Sequence, residues 1–243
     1  MITNNSVGKY LLYALGEIGL VVIGILIALQ VNQWSDNKRT ISKEINILKS
    51  FDLQFENDLI QFEECLSFHE ASEKSIDILL NYLENDLPYN DSLAHHFFIS
   101  TRIYVDSDMA NNVFETLLSY GVDLISNEKI RNEIVLIYED EDLWIKNFET
   151  MYNDFIMNAS EDLFPTRFED FWNGDYNNRN FVGGNMIPLN FEELKNDQEY
   201  LYYLRTQKNQ LGWMIKRPIL DTKLRIISLQ SEIRREIERL ENK

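Results

Sequence analysis

Twenty-two consecutive residues, Tyr10 to Val31 (YLLYALGEIGLVVIGILIALQV), carry only two polar interruptions, Glu17 and Gln30. As a helix rising ~1.5 Å per residue, this run matches a hydrocarbon core of ~30 Å. A folded chain must either bury such a segment or leave it to a bilayer. A cleaved signal peptide would have an apolar stretch of roughly 7–15 residues ending in a small-x-small site. Here Ala28-Leu29-Gln30 lacks the second small residue, so a retained membrane helix is expected over residues 10–34, after a short tail of residues 1–9. Tyr10, Tyr13 and Trp34 stand near its ends, where interfacial aromatics belong.

Glu17 cannot simply be left outside the hydrocarbon. Ile18 to Val31 alone would span ~21 Å, too short for the core. An intramembrane carboxyl either finds a partner or a proton, or lies protonated or interfacial and sets the depth of the helix. Gly24 and Ala28 form a small-xxx-small pair, with Gly16 two such steps earlier and Glu17 beside the stripe. Such faces let membrane helices approach closely. Gly16, Glu17, Gly24 and Ala28 are therefore the expected contacts of a membrane partner.

No glycine or proline occurs between Gly24 and Pro88. Over residues 35–87 apolar side chains recur at spacings of four and three, which predicts one long amphipathic helix continuous with the membrane segment. The expected seam is Ile41, Ile45, Leu48, Asp52, Phe55, Leu59, Phe62, Leu66, His69, Glu73, Ile76, Leu80 and Leu83. Ser35 or Asp36 offers a cap for a separate helix, but the same phase runs back through Trp34 and Val31. Asp52, His69 and Glu73 interrupt the seam. They either pair as a buried register device or pH sensor, or mark where that surface leaves the core.

The remainder, residues 88–243, reads as an antiparallel helical bundle, making the chain all-α. With nine glycines and four prolines in 243 residues, the frequent turns of an all-β fold are missing. Asp91 can cap a helix through Ile99. Asp106 to Asp108 can start one that ends near Tyr120, with Gly121 as its stop. Ser126 starts a long helix toward Leu163, halted by Pro165. Asn190 with Glu193 resembles a capping box for a helix through Trp213, which Pro218 breaks or kinks before a last amphipathic helix. Residues 165–188 form a long Asn- and Gly-rich loop holding Phe168, Phe171, Trp172, Tyr176 and Phe181. Loops of this length are functional or disordered. The aromatics point to a lid on the bundle or to a partner surface.

The chemistry is sparse. His69, His95 and His96 are the only histidines and Cys65 the only cysteine, which excludes an internal disulfide and a cysteine zinc cluster. No Glu-x-x-His pair, His-Glu-x-x-His motif, phosphate loop or dinucleotide fingerprint occurs. Asn173, Asp175 and Asn177 have calcium-loop spacing, but position twelve is Gly184. Cys65, next to the seam, reads as ordinary packing. The sequence points to no cofactor, no metal and no catalytic residue. A net charge of −17 argues against nucleic acid, and Glu139-Asp140-Glu141-Asp142 reads as a solvated helix face.

Lys9 to Trp34 (KYLLYALGEIGLVVIGILIALQVNQW) resembles the amino-terminal signature of single-pass membrane proteins common in Bacteroidetes-type bacteria, a domain of unknown function. Phe114 to Asp140 (FETLLSYGVDLISNEKIRNEIVLIYED) is similar to that family's second recurring segment, a helix ending at glycine followed by a new helix start. The resemblance implies an inner-membrane protein with its N-terminus inside and a periplasmic body. By itself, Lys9 on one flank against Lys38, Arg39 and Lys43 on the other would put the body in the cytoplasm. The expected role is non-enzymatic: a scaffold or accessory subunit of a cell-envelope assembly, held in the lipid bilayer and associating with itself or another envelope membrane protein. The alternative is a periplasmic ligand-sensing bundle that signals through a partner.

Overall fold

The computed structural model describes residues 5–104, 109–174 and 183–242, with side chains from residue 14 onward. Helix α1 runs without a break from Asn5 to Glu84, about 120 Å. Neither Ser35 nor Asp36 starts a new helix. The remaining elements are α2 (Ser92–Ser100), α3 (Asn112–Tyr120), α4 (Glu128–Leu136), α5 (Asp142–Asp162), α6 (Phe191–Leu194), α7 (Gln198–Gln210) and α8 (Arg217–Glu241). Among the described residues there is no strand of two residues or more, and the all-α expectation holds.

Helix starts follow side-chain chemistry, though not always at the expected residue. The Asn90 side chain, not Asp91, accepts from the Ser92 amide. Asn127, one residue after the expected Ser126, accepts from the amides of Lys129 and Ile130. The start expected at Asp106 to Asp108 lies outside the described residues, and α3 begins at Asn112. Gly121 ends it at φ +90°, a conformation that a side chain disfavours. Asn190 accepts from the Glu193 amide and its side-chain amide reaches the Glu193 carboxylate. The helix it opens lasts one turn, because Asp197 caps α7 afresh through the amides of Glu199 and Tyr200.

Two wide π turns keep helices continuous. One, Ile137–Glu141, joins α4 to α5 and the other, Leu211–Lys216, joins α7 to α8. In the second, the Arg217 amide reaches back five residues to the Gly212 carbonyl. That widened turn gives the Pro218 ring room against the preceding turn, so the proline neither breaks nor ends the helix.

The body forms around the second half of α1, which packs against α2, α3, α7 and α8. Its buried stripe is Glu44, Leu48, Phe51, Phe55, Asp58, Phe62, Cys65, His69, Ser72, Ile76, Leu79 and Leu83, spaced four and three throughout. Half of the expected seam is therefore right: Leu48, Phe55, Phe62, His69, Ile76 and Leu83 are buried. The companion row is not Ile45, Asp52, Leu59, Leu66, Glu73 and Leu80 but its neighbour one residue earlier. Of the expected row only Leu66 is fully buried; the others lie at the margin.

Asp52 and Glu73 explain the margin. Helices α7 and α8 run antiparallel to α1, and ion pairs cross between them at successive levels. They are Lys49 with Glu241 at 2.6 Å, Asp52 with Arg234 at 2.9 Å, and Glu56 with Arg234 at 2.7 Å. Further up come Glu63 with Lys223, Glu73 with Lys216 at 2.7 Å, Asp77 with Lys208 at 2.5 Å, and Glu84 with Arg205 at 2.7 Å. Each partly exposed pair is worth ~0–1 kcal/mol. As a ladder, acidic on α1 and basic on its partner above the first rung, they fix register and direction.

Candidate functional site

Two features of α1 stand out: a bare half and a polar stripe inside the core. Residues 14–40 of α1 are exposed apart from Gly19, which is half-exposed, and no other element of the described chain packs on them. Among the described residues this is the one helix long and apolar enough to cross a membrane, and the rest of the described chain buries none of its most apolar window. Gly16, Glu17, Gly24 and Ala28 are all exposed there. A side chain added at Gly16 or Gly24 would meet nothing within 4 Å. At the far edge of the run the Lys38 ammonium lies over the Trp34 ring, 4.0 Å from its centre.

Where α1 enters the bundle, its buried face turns partly polar, and Glu44, Gln54 and Asp58 each hold a stretch of non-helical backbone. The Glu44 carboxylate accepts from both the amide and the hydroxyl of Ser126 at 2.7 Å, pinning the turn before α4. The segment before α3 is gripped from two sides: Asp58 accepts from the Ala110 amide at 3.3 Å and Asp142 from the Met109 amide at 2.9 Å. Gln54 donates to the Ala110 carbonyl and to the Tyr138 hydroxyl. Burial, with the Asp142 charge as a smaller contribution, pushes the Asp58 carboxyl up to about 7 against the pull of the Ala110 amide. Asp142 also pairs with Lys146 at 2.8 Å.

The C-terminus of α2 is buried in the same way. Its last carbonyls would be orphaned in an apolar core. Instead Ser72 donates to Ile99, Gln207 to Ser100 and the Trp172 indole to Thr101. His69, one turn below Ser72, is 1% exposed, with its ring edge-on to Phe68 and Tyr152. Burial, reinforced by the Arg102 charge, lowers its pKa to about 3, so the ring stays neutral. It does not pair with Glu73, which is held by Lys216. Arg102 is buried, with its guanidinium over the Phe68 ring at 4.2 Å.

The described part of the long loop packs onto the bundle. Phe168 pairs with Pro188 and Asn173 with Asn185 as antiparallel bridges, and the Met186 amide donates to the Ala94 carbonyl on α2. Phe168 is buried against Phe97, Phe164 and Tyr200, so it cannot serve as a partner surface. Phe171 and Trp172 are half-buried and stacked on each other at 4.8 Å. Trp172 takes a positive φ of 57°, a strained conformation held by its bond to Thr101. Gly184 allows the closure: a Cβ there would lie 2.2 Å from the Phe98 ring. Tyr176, Phe181 and two of the three calcium-spaced residues, Asp175 and Asn177, lie outside the described residues.

Burial, with Glu149 nearby, pushes the Cys65 thiol up to about 12, far from a reactive thiolate. His95 meets the Gly184 carbonyl and His96 the Ser75 hydroxyl, each at 3.1 Å, so both tie elements together. Among the described residues no group of three His, Cys, Asp or Glu is placed to hold a metal. Glu139 and Asp140 are solvated as expected. Glu141 instead meets Arg225 at 3.1 Å and Asp142 is buried. A groove of about 400 Å³ beside the second π turn, lined by Glu73, Lys208, Asn209, Gly212, Trp213 and Arg217, is a wide surface depression and not an enclosed chamber.

The polar stripe and the ion-pair ladder escaped sequence reading. A signal for the ladder was present: α7, α8 and the π turn joining them hold Arg205, Lys208, Lys216, Lys223 and Arg234, opposite the acidic Asp52, Glu56, Glu63, Glu73, Asp77 and Glu84. No curated protein and no solved structure matches the chain. Residues 17–87, from inside the apolar run to the turn after α1, match the model of one family, described as "Family of unknown function (DUF6090)", so the chain is similar to that family over the helix that carries both the bare segment and the polar stripe.

Proposed function

We propose that the chain is a membrane-anchored helical interaction protein, a scaffold or accessory subunit of a cell-envelope assembly, and not an enzyme. Its apolar helix lies in the inner membrane with the N-terminus inside and the body in the periplasm. It associates through Gly16, Glu17, Gly24 and Ala28 with a second copy or another envelope membrane protein. The observation that carries this reading is the division of one unbroken helix: residues 14–40 are bare, and from Glu44 onward the same helix is the core of the bundle. A bilayer supplies the cover the bare half lacks. The continuity makes the helix a rigid stem, so that contacts in the membrane orient the body above it. The open faces of Gly16 and Gly24 admit a neighbouring backbone, and a carboxyl at Glu17 gives that neighbour a polar anchor.

Crosslinking in native membranes tests this. Gly24→Leu is expected to lower recovery of the crosslinked species, and an unchanged yield removes the membrane interface. A cysteine placed at exposed Leu118 reports orientation, since buried Cys65 is silent. Labelling by an impermeant maleimide in cells with an intact inner membrane is expected; labelling only after lysis overturns the periplasmic placement.

A further inference from the structure

We infer that Arg102, just beyond the buried end of α2, is the centre of a binding site for a small carboxylate, with Phe68 and His69 of α1 beside it. The site lies in the body and does not depend on the membrane contact proposed above. Among the described residues Arg102 is the one buried arginine, and it makes no ion pair there. Arg131, Arg167, Arg205, Arg225 and Arg234 all lie nearer the solvent, and every one of them is ion-paired. A chain with 40 acidic side chains thus pairs its more exposed arginines and gives the buried one no counter-charge among the described residues. A buried charge without compensation is strongly destabilising, so an anion that supplies the compensation binds favourably.

The Phe68 ring, 4.2 Å from the guanidinium, attracts its charge but takes none of its in-plane N–H groups. The buried Nε has no acceptor among the described residues. The carbonyls preceding it are already engaged: Ser72 donates to Ile99, Gln207 to Ser100 and the Trp172 indole to Thr101. Burial lowers the Arg102 pKa, and no carboxylate counters that fall. Against the same Phe68 ring stands His69, 5.3 Å away between ring centres and close enough to feel the Arg102 charge. Neither of its buried ring nitrogens has a partner among the described residues. A neutral imidazole carries one N–H, so a second donor lies near the first. Glu149 acts instead on Cys65, one turn before His69 on α1. Phe68, Ile103 and Tyr104 are half-buried, which leaves this edge of the bundle open to a small solute. The guanidinium presents its N–H groups in a fixed planar fork that matches the two oxygens of a carboxylate.

The test uses the full-length protein in a mild non-ionic detergent at pH 7 and constant ionic strength, with sodium acetate as the probe. The readouts are the Arg102 Nε–H resonance of isotope-labelled protein and the melting temperature. Acetate is expected to move that resonance saturably and to raise the melting temperature, whereas chloride and sulfate do neither. Arg102→Lys keeps the charge but loses the fork, and is expected to weaken acetate binding about tenfold. Arg102→Met, which replaces the charge by an apolar chain, is expected to keep the fold by circular dichroism and to lose the acetate response. A resonance that acetate leaves in place overturns the site, and so does an equal response to chloride or sulfate. Asp106 and Asp108 lie outside the described residues. If Asp106→Asn or Asp108→Asn moves the Nε–H resonance in chloride alone, the counter-charge belongs to the chain itself and the carboxylate site is overturned.

Discussion

The two-sided grip on the segment before α3 makes a quantitative prediction about acidity. Asp58 is 1% exposed, accepts one backbone amide, and has Asp142 as a charged neighbour. Its carboxyl is held at about 7 in the fold against 3.8 when free. The folded state therefore prefers the protonated form, and its stability falls as pH rises from about 4 to about 7, then levels off. Between pH 5 and pH 8 this one group costs the fold about 3 kcal/mol, from ~1.4 kcal/mol per pH unit over the two units up to 7. Asp58→Asn keeps the oxygen that receives the Ala110 amide and removes the charge. Its new amide group is buried at the Oδ2 position, which has no partner among the described residues, at ~1–3 kcal/mol. That cost is independent of pH, so the decisive quantity is the difference between pH 8 and pH 5. Urea unfolding in mild detergent, followed by far-ultraviolet circular dichroism, should show wild type losing about 3 kcal/mol more across that interval than the variant does. Parallel pH profiles for the two proteins would refute the assignment of a buried, charge-opposed carboxyl at this position.

Other consequences follow from neighbouring residues. His69 has the opposite sign: its folded pKa of about 3 lies below the free value of 6.5, so stability is lost as pH falls below 6.5. His69→Phe, in a nest of Phe68, Tyr104 and Tyr152 rings, should remove about 1–2 kcal/mol of that loss at pH 5.5 in the same unfolding assay. Gly184→Ala drives a methyl into the fully buried Phe98 ring and should lower stability by ~1–3 kcal/mol, whereas Gly183→Ala, with open space around it, should stay within about 1 kcal/mol of wild type. Reversing Arg234 to Glu should lower stability slightly, and the added change Asp52→Arg should recover part of that, read as the sign of the coupling in a double-mutant cycle at low salt.

The length and continuity of α1 were legible because nothing between Gly24 and Pro88 can stop a helix, and the fold class because glycine and proline are scarce. One row of its buried stripe was legible too. The second row was misplaced by one residue for a physical reason. Ile45, Leu59, Leu66 and Leu80 outweigh Phe51, Cys65 and Leu79 in hydropathy, yet Glu44, Asp58 and Ser72 are buried because backbone groups of distant turns and of the α2 C-terminus satisfy them. Those acceptors and donors lie 27 to 82 positions away, beyond any local pattern. The loop's aromatics permitted two readings from composition alone. Phe168, Met186 and the Gly184–Phe98 contact place the described part of it on α2 as a lid. Gly16, Glu17, Gly24 and Ala28 were singled out by their spacing alone, and in the structure no other described element covers them.

The central claim is that one uninterrupted helix passes from a bilayer into the core of the bundle. A nitroxide scan from residue 20 to residue 50 in liposomes, comparing accessibility to oxygen with accessibility to a water-soluble nickel complex, tests it most directly. The account predicts high oxygen access up to about Val31, a switch to nickel access near Trp34, and an unbroken helical period that ends in protection of Leu48 and Phe51. Loss of the helical period between residues 32 and 43, or nickel access throughout residues 20–31, would contradict it.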